Sequence, residues 1–213
     1  MAGTRKSRRW WGLGAGVVVL VVVLVASLAG TGAAATKHIR FQMVRSSGAV
    51  TAGCIPHARA RVTVTSRGPV EVMRVHARGL PKNTEFDLFV IQVPNAPFGL
   101  SWYQGDFETN NHGRADGVFI GRFNIETFIV APGAAPAPVV HDQPPFPDAN
   151  TNPATGPVHE FHLGLWFDSP ADADAAGCGN TVTPFNGDHN AGVQALSTRN
   201  FGDLTGPLSH QKP

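Results

Sequence analysis

Short runs of alternating apolar and polar residues recur along the chain and constrain its fold more than any other feature. Residues 38–44 read HIRFQMV, and the runs RARVTVT (59–65) and EVMRVHA (71–77) repeat the alternation. Side chains of a β-strand project alternately to its two faces, so such runs predict strands with one buried and one wet face. The run EFDLFVIQV (85–93) is apolar on both faces and predicts a central strand.

More strands follow, and only one helix is predicted. The helix covers 169–177, with Ser169 as the N-cap, Pro170 at the first helical position and Gly177 as the stop. The remaining predicted strands are GVFIGRFN (117–124), IETFIVA (125–131), VHEFHLGLWF (158–167) and GVQALST (192–198). Many short strands between Gly/Pro turns predict an all-β fold, an antiparallel β-sandwich of immunoglobulin-like or jelly-roll-like form with one short helix.

The first 35 residues resemble an export signal. A basic start at Arg5–Arg9 precedes a charge-free, mostly aliphatic stretch, and Ala33-Ala34-Ala35 supplies the small residues that a signal peptidase accepts. We expect a signal peptide, residues 1–35, that is cleaved to leave a single domain at 36–213. The alternative is an uncleaved anchor, in which case residues 10–35 provide the only membrane contact. Both readings place the domain outside the cytoplasm, and both the general and the twin-arginine export routes stay open.

The chain contains two cysteines, Cys54 and Cys178. Exported proteins meet an oxidising environment, and an even count leaves no odd thiol. Neither cysteine has a second ligand at zinc-like spacing. We therefore predict one disulfide between them.

Charge is unevenly distributed along the chain. The whole sequence has 17 Lys and Arg against 15 Asp and Glu, but four of the basic residues lie in the predicted leader, so the remainder is slightly acidic. Nucleic acid is therefore not an expected partner. The segment 37–82 is basic and 83–213 is acidic. This asymmetry means either a basic surface for an anionic partner or basic strands paired with acidic ones, and we expect the second.

The stretch 158–167 contains two histidines three positions apart, which raises the question of a metal site. In a strand His159 and His162 project to opposite faces and cannot bind one ion together. A second grouping combines His162 and Trp166 with Asp188 and His189, which follow a turn. These side chains either converge on a cleft or reflect ordinary turn chemistry. No metal, cofactor or catalytic residue is predicted.

Aromatic residues are concentrated between residues 94 and 117, which predicts a long hairpin or a crossing connection. Trp102 and Tyr103 stand there between Pro, Gly and Asn residues. Such rings either cap one open end of the sandwich or form a ligand patch, because they combine an apolar body with a polar rim. We expect an exported, non-catalytic domain that binds an unknown protein or glycan of the cell envelope. The alternative is a secreted metal-dependent or hydrolytic enzyme centred on His162, Asp188 and His189.

Two resemblances support export and a β-rich fold. The run from GLPKNTEFDLFVIQVP to GRFNIETFIVAP, with the later FHLGLWFDSP and VTPFNGDHNAG, resembles a group of uncharacterised secreted actinobacterial proteins. That resemblance implies an actinobacterial, exported protein and no particular activity. The pattern Gly-Leu-Pro-x-x-Thr-x-x-x-Leu-x-Val is similar to part of the extracellular sandwich domain of anti-sigma-K-type proteins. It implies a fold and no site.

Overall fold

The computed structural model describes residues 38–123, 127–129, 157–186 and 189–211, all in the second of two units of the chain, Ala35–Pro213. The predicted leader lies outside the described residues. The described strands are β1 (His38–Arg45), β2 (Arg59–Ser66), β3 (Glu71–Arg78), β4 (Glu85–Ile91), β5 (Ser101–Glu108), β6 (Arg114–Gly121), β7 (Thr127–Ile129), β8 (Pro157–His159), β9 (His162–Phe167), β10 (Thr183–Asn186), β11 (His189–Ala191) and β12 (Gln194–Ser197). The helices are α1 (Ser47–Thr51), α2 (Pro170–Ala175) and a 3₁₀ helix at Pro207–His210. Within this described part, no helix has the length and apolarity needed to cross a membrane.

Eight strands form one antiparallel sheet in the order β5-β4-β9-β12-β1-β2-β3-β6. Two small two-stranded sheets, β10–β11 and β7–β8, accompany it. The predicted all-β antiparallel fold is confirmed. The predicted sandwich of two facing sheets is not, because the eight strands form a single, nearly closed, barrel-like sheet.

The edge strands β5 and β6 meet along a seam without ladder pairing among the described residues. At the turn that joins them, the Asn110 N–H donates to the Arg114 carbonyl at 2.8 Å. Farther along, the rings of Phe107 and Phe119 lie 6.2 Å apart. A Cβ on Gly117 would lie 2.7 Å from the Phe119 ring, so the glycine provides the space that the ring occupies. Side-chain packing, rather than a hydrogen-bond ladder, therefore closes the sheet.

The predicted alternation matches the observed burial. On β2 and β3 the inward residues are fully buried and pair across the strands, Val62 with Val75 and Val64 with Met73. Strand β4 is buried on both faces, as expected for an interior strand. Phe89 and Ile91, on its outer face, pack outside the main core in a cluster with Trp166. The outer face of β4 is therefore covered too, in part by Phe98 and Ala191. Its inner face lies in the main core.

The predicted helix and the predicted disulfide are both confirmed. The Ser169 hydroxyl accepts the Asp172 N–H at 3.1 Å and so caps α2. The helix leads to Cys178, whose Cα lies 5.2 Å from that of Cys54 in a buried disulfide. This bond joins segments that are 124 positions apart in the sequence.

Two predicted elements differ from the structure. The run 158–167 contains two strands rather than one, because Glu160 and Phe161 separate β8, which pairs with β7, from β9, which pairs with β4 and β12. Residues 101–108, predicted to be part of a long hairpin or a crossing connection, form the full strand β5. Of the predicted strand 125–131, only 127–129 lies within the described residues.

Candidate functional site

The predicted ligand residues Trp102 and Tyr103 lie on the edge strand β5 and are exposed. Trp102 is 54% exposed and Tyr103 is 37% exposed. They are therefore surface residues rather than members of the core. Because consecutive strand residues project to opposite sides, the two rings flank the edge strand instead of forming one plane.

A chain of aromatic contacts supports Tyr103 from beneath. Its ring centroid lies 5.6 Å from that of Phe89, which lies 5.3 Å from Trp166. Trp166 in turn lies 4.9 Å from Phe98. All three pairs are edge-to-face, the arrangement that the aromatic quadrupole favours. The stack fixes the position of the exposed tyrosine.

Carboxyl groups surround this stack. Asp87 is opposite Asp106 on β5 and opposite Trp166 on β9, and it is 1% exposed. Burial raises the pKa of Asp87 to about 8, with further contributions from hydrogen bonding to Asp106 and from the negative charge of Asp168. Asp87 therefore keeps its proton at neutral pH and can donate it to a neighbouring carboxylate. We call Tyr103, Asp106 and the groups beneath them, together with Trp102 on the other side of the strand, the aromatic surface.

The hydroxyl of Tyr103 is part of the same arrangement. Burial raises its pKa above the ordinary value, and a hydrogen bond to Asp106 raises it further. The pKa of Glu85 is also raised, first by burial and then by the nearby carboxylates of Asp168, Asp106, Glu108 and Asp172. The aromatic surface therefore combines exposed rings with closely spaced hydrogen-bond acceptors.

His162, in contrast, is a buried structural residue. It is fully buried, with Nε2 3.1 Å from the Asp203 carbonyl and Nδ1 2.9 Å from the Thr198 hydroxyl. Since a carbonyl only accepts, Nε2 carries the hydrogen and Nδ1 accepts from Thr198. Burial lowers the pKa of His162, which favours this neutral form. Both ring nitrogens are engaged, so the imidazole does not serve as a free base.

Of the residues grouped with His162, only Trp166 has a side chain that the structure describes, and it is buried. Trp166 is 3% exposed, and its indole N–H has no hydrogen-bond partner within the described portion of the chain. Asp188 and the His189 side chain lie outside what the structure describes, although the His189 backbone belongs to β11. The described residues include no group of three or more His, Cys, Asp or Glu side chains arranged to hold a metal ion.

A second surface, not selected from the sequence as a site, lies on the outer face of β1, β2, β3 and β6. Its six arginines are all exposed, and we call this surface the arginine face: Arg40, Arg59, Arg61, Arg74, Arg78 and Arg114. Strand register arranges the arginines in rows. Arg59, Arg78 and Arg114 are directly opposite one another on three adjacent strands.

The expected pairing of basic strands with acidic strands is not what the register gives. The basic strands β1, β2 and β3 pair with one another, and β3 then pairs with β6. Only one acidic side chain joins their rows, Asp116, and its carboxylate contacts the His76 ring. The sequence signal for this face was present in the repeated outward arginines of β2 and β3, but their alignment depends on the register.

Comparisons with known protein families, with curated proteins and with solved structures give no match to this chain. The structure itself defines the class of protein as an antiparallel, barrel-like β-domain with one disulfide.

Proposed function

We propose that this chain is an exported, non-catalytic domain that binds a glycan of the cell envelope through the aromatic surface. The observation that carries the proposal is the exposure of Trp102 and Tyr103 on the edge strand β5, where the Tyr103 ring packs against Phe89. Large exposed rings that are held in place lose little conformational freedom on binding, and Trp and Tyr are the residues on which binding energy concentrates.

The chemistry beside the rings supports a polyhydroxylated ligand. Aromatic faces cover the apolar C–H faces of a sugar ring, while carboxylates accept hydrogen bonds from its hydroxyl groups. Asp106 lies within hydrogen-bonding reach of Tyr103, and Glu108 follows two positions later on β5. A carboxylate-rich rim disfavours anionic sugars, so the proposed ligand is a neutral or amino-sugar polymer.

The proposed location rests on the leader and on the disulfide. A basic start followed by an aliphatic stretch directs export, and a disulfide such as Cys54–Cys178 persists in oxidising compartments. Export by either route, with or without retention of residues 10–35, places the domain beside envelope glycans.

Sedimentation of the purified exported protein with insoluble peptidoglycan and chitin tests the proposal. Trp102→Ala is expected to weaken binding by roughly tenfold or more, as for a central aromatic contact. Tyr103→Phe keeps the ring and removes the hydrogen bond to Asp106, so its loss should be smaller.

A matched control is Leu204→Ala, which removes an apolar side chain that is 45% exposed elsewhere on the domain. Binding by the control should equal that of the unmodified protein. Circular dichroism must show that all variants are folded. Equal glycan binding by Trp102→Ala and by the unmodified protein would remove the aromatic surface as the site.

A further inference from the structure

We propose that the arginine face is a second binding site, and that it takes a linear phosphate-bearing polymer. Four of its arginines, Arg59, Arg61, Arg78 and Arg114, line an open cleft of about 370 Å³ together with the His76–Asp116 pair. The remaining two, Arg40 and Arg74, lie farther along the same outer face. This site does not overlap with the aromatic surface, which belongs to β4, β5 and β9.

The arrangement is unfavourable for the isolated protein. Arg59, Arg78 and Arg114 are cross-strand neighbours, and like charges directly opposite each other in a sheet repel. Within the described residues, none of the face's arginines forms an ion pair with a carboxylate. The Arg59 guanidinium donates to the His57 carbonyl, at 3.1 Å. Asp116, the one carboxylate in the described outward-facing rows, contacts His76 and lies beside the Arg78–Arg114 pair. Anionic groups from a ligand would offset the repulsion that remains.

The type of cation favours phosphate over a simpler anion. Every fixed cation on the face is arginine, whose planar fork makes two parallel hydrogen bonds to oxyanions, and none is lysine. Three guanidinium groups on three adjacent strands surround one cleft. A phosphate unit within such a polymer has two non-bridging oxygens, as a carboxylate does, and binds a guanidinium fork through the same two hydrogen bonds, while its directly linked neighbours supply charge to the other guanidinium groups.

The spacing along the strands favours a polymer. Arg74 and Arg78 are on the same face of β3, four residues apart, which corresponds to about 13 Å along a strand. Arg61 lies between these two rows on the neighbouring strand. One phosphate group cannot reach both Arg74 and Arg78, but a chain that carries several phosphate groups can contact Arg74, Arg61 and Arg78.

The outer rows offer no stacking platform for bases. Beyond the arginines they present Thr63, Val118 and Ile120, and the described rows contain no Phe, Tyr or Trp on this face. Single-stranded nucleic acid binding relies on base stacking as well as on charge. The face therefore matches the phosphate backbone alone, which is the reason to choose a non-nucleotide polymer.

The test is a titration of the full exported protein with linear inorganic polyphosphate at several salt concentrations. Affinity is expected to fall steeply with salt, as counterions are released from each neutralised phosphate. Single changes Arg59→Gln, Arg78→Gln and Arg114→Gln should each weaken binding by roughly tenfold. Each should also reduce the slope of log affinity against log salt by about one.

The matched control is Arg67→Gln, which removes the same charge from the turn between β2 and β3, outside the face. Its affinity should stay within about twofold of the unmodified protein, since only distant screened charge changes. Trp102→Ala should also bind polyphosphate normally, which separates this proposal from the glycan proposal. All face arginines are exposed, so the variants are expected to fold, and urea unfolding verifies this.

Three results would overturn the proposal. The first is no polyphosphate binding at low salt, and the second is equal loss in the face variants and in Arg67→Gln. The third is equal or tighter binding of a sulfated polysaccharide, polygalacturonate or single-stranded DNA, which would show that another polymer is the ligand. Preferential binding of polyphosphate that depends on the three arginines supports the proposal.

Discussion

Replacing Asp87 with asparagine should change how the stability of the domain depends on pH. Asp87 is 1% exposed, and burial raises its folded-state pKa to about 8 from the ordinary value of 3.8. Between these two values the folded state holds a proton that the unfolded state has released. Stability therefore falls as pH rises through this interval, and the loss is complete above the folded pKa. Asparagine cannot ionise, so the variant lacks this contribution.

The magnitude follows from linkage. Each pH unit inside the interval corresponds to about 1.4 kcal/mol, so a step from pH 5 to pH 7 corresponds to about 3 kcal/mol. Coupling to Asp106 and Asp168 makes this an upper value, because their charge states adjust when Asp87 titrates. The amide still donates a hydrogen bond, as the protonated acid does.

Urea unfolding of both proteins at pH 5 and pH 7 measures the effect. The free energy of unfolding of the unmodified protein, relative to Asp87→Asn, should fall by about 2 to 3 kcal/mol over that step. All other titratable groups are common to both proteins, so their contributions cancel in the difference. If the two proteins show parallel pH dependence, Asp87 is ionised in the fold and the reasoning about its burial is wrong.

Four further perturbations test the fold. Removing the disulfide with Cys54→Ala and Cys178→Ala should cost roughly 4 to 5 kcal/mol on chain-entropy grounds, and an unchanged urea midpoint would contradict this. Gly117→Ala should cost about 1 to 3 kcal/mol because its Cβ meets a ring at 2.7 Å, and a melting temperature equal to that of the unmodified protein would show that the seam relaxes freely. Thr198→Val should cost about 2 kcal/mol, measured by urea unfolding, because it leaves a buried imidazole nitrogen unpaired. Arg78→Gln should instead stabilise the domain by a few tenths of a kcal/mol at low salt, and destabilisation would show that the arginine row is not repulsive.

The local sequence pattern predicted the strands and the helix whose formation depends on neighbouring residues in the chain. Strands β1 to β3 alternate because one face of each is buried, and the capping serine and proline at 169–170 set the start of α2. The disulfide followed from compartment and cysteine count. Strand β5 was missed because it is an edge strand, exposed at most positions, so its sequence lacks the apolar alternation.

The closure of the sheet and the composition of the two surfaces could not be read from the sequence. Both depend on which strands pair and in which register, and these long-range contacts leave no local pattern. Trp102 and Tyr103 were selected because exposed aromatics in a polar setting are recognisable. His162 and Trp166 were grouped with Asp188 and His189 because they share a face of β9, but that face is buried. The arginine row exists only once β2, β3 and β6 are aligned.

The seam between β5 and β6 also determines how the domain can move. These strands are tied at their turn by the Asn110–Arg114 hydrogen bond, and beyond it the rings of Phe107 and Phe119 pack across the seam. Among the described residues no ladder joins the two strands, so opening this line breaks none, in contrast to separating strands that pair. We expect β5 and β6 to separate from each other about the turn that joins them. Amide hydrogen exchange should be fastest along the facing edges of these two strands.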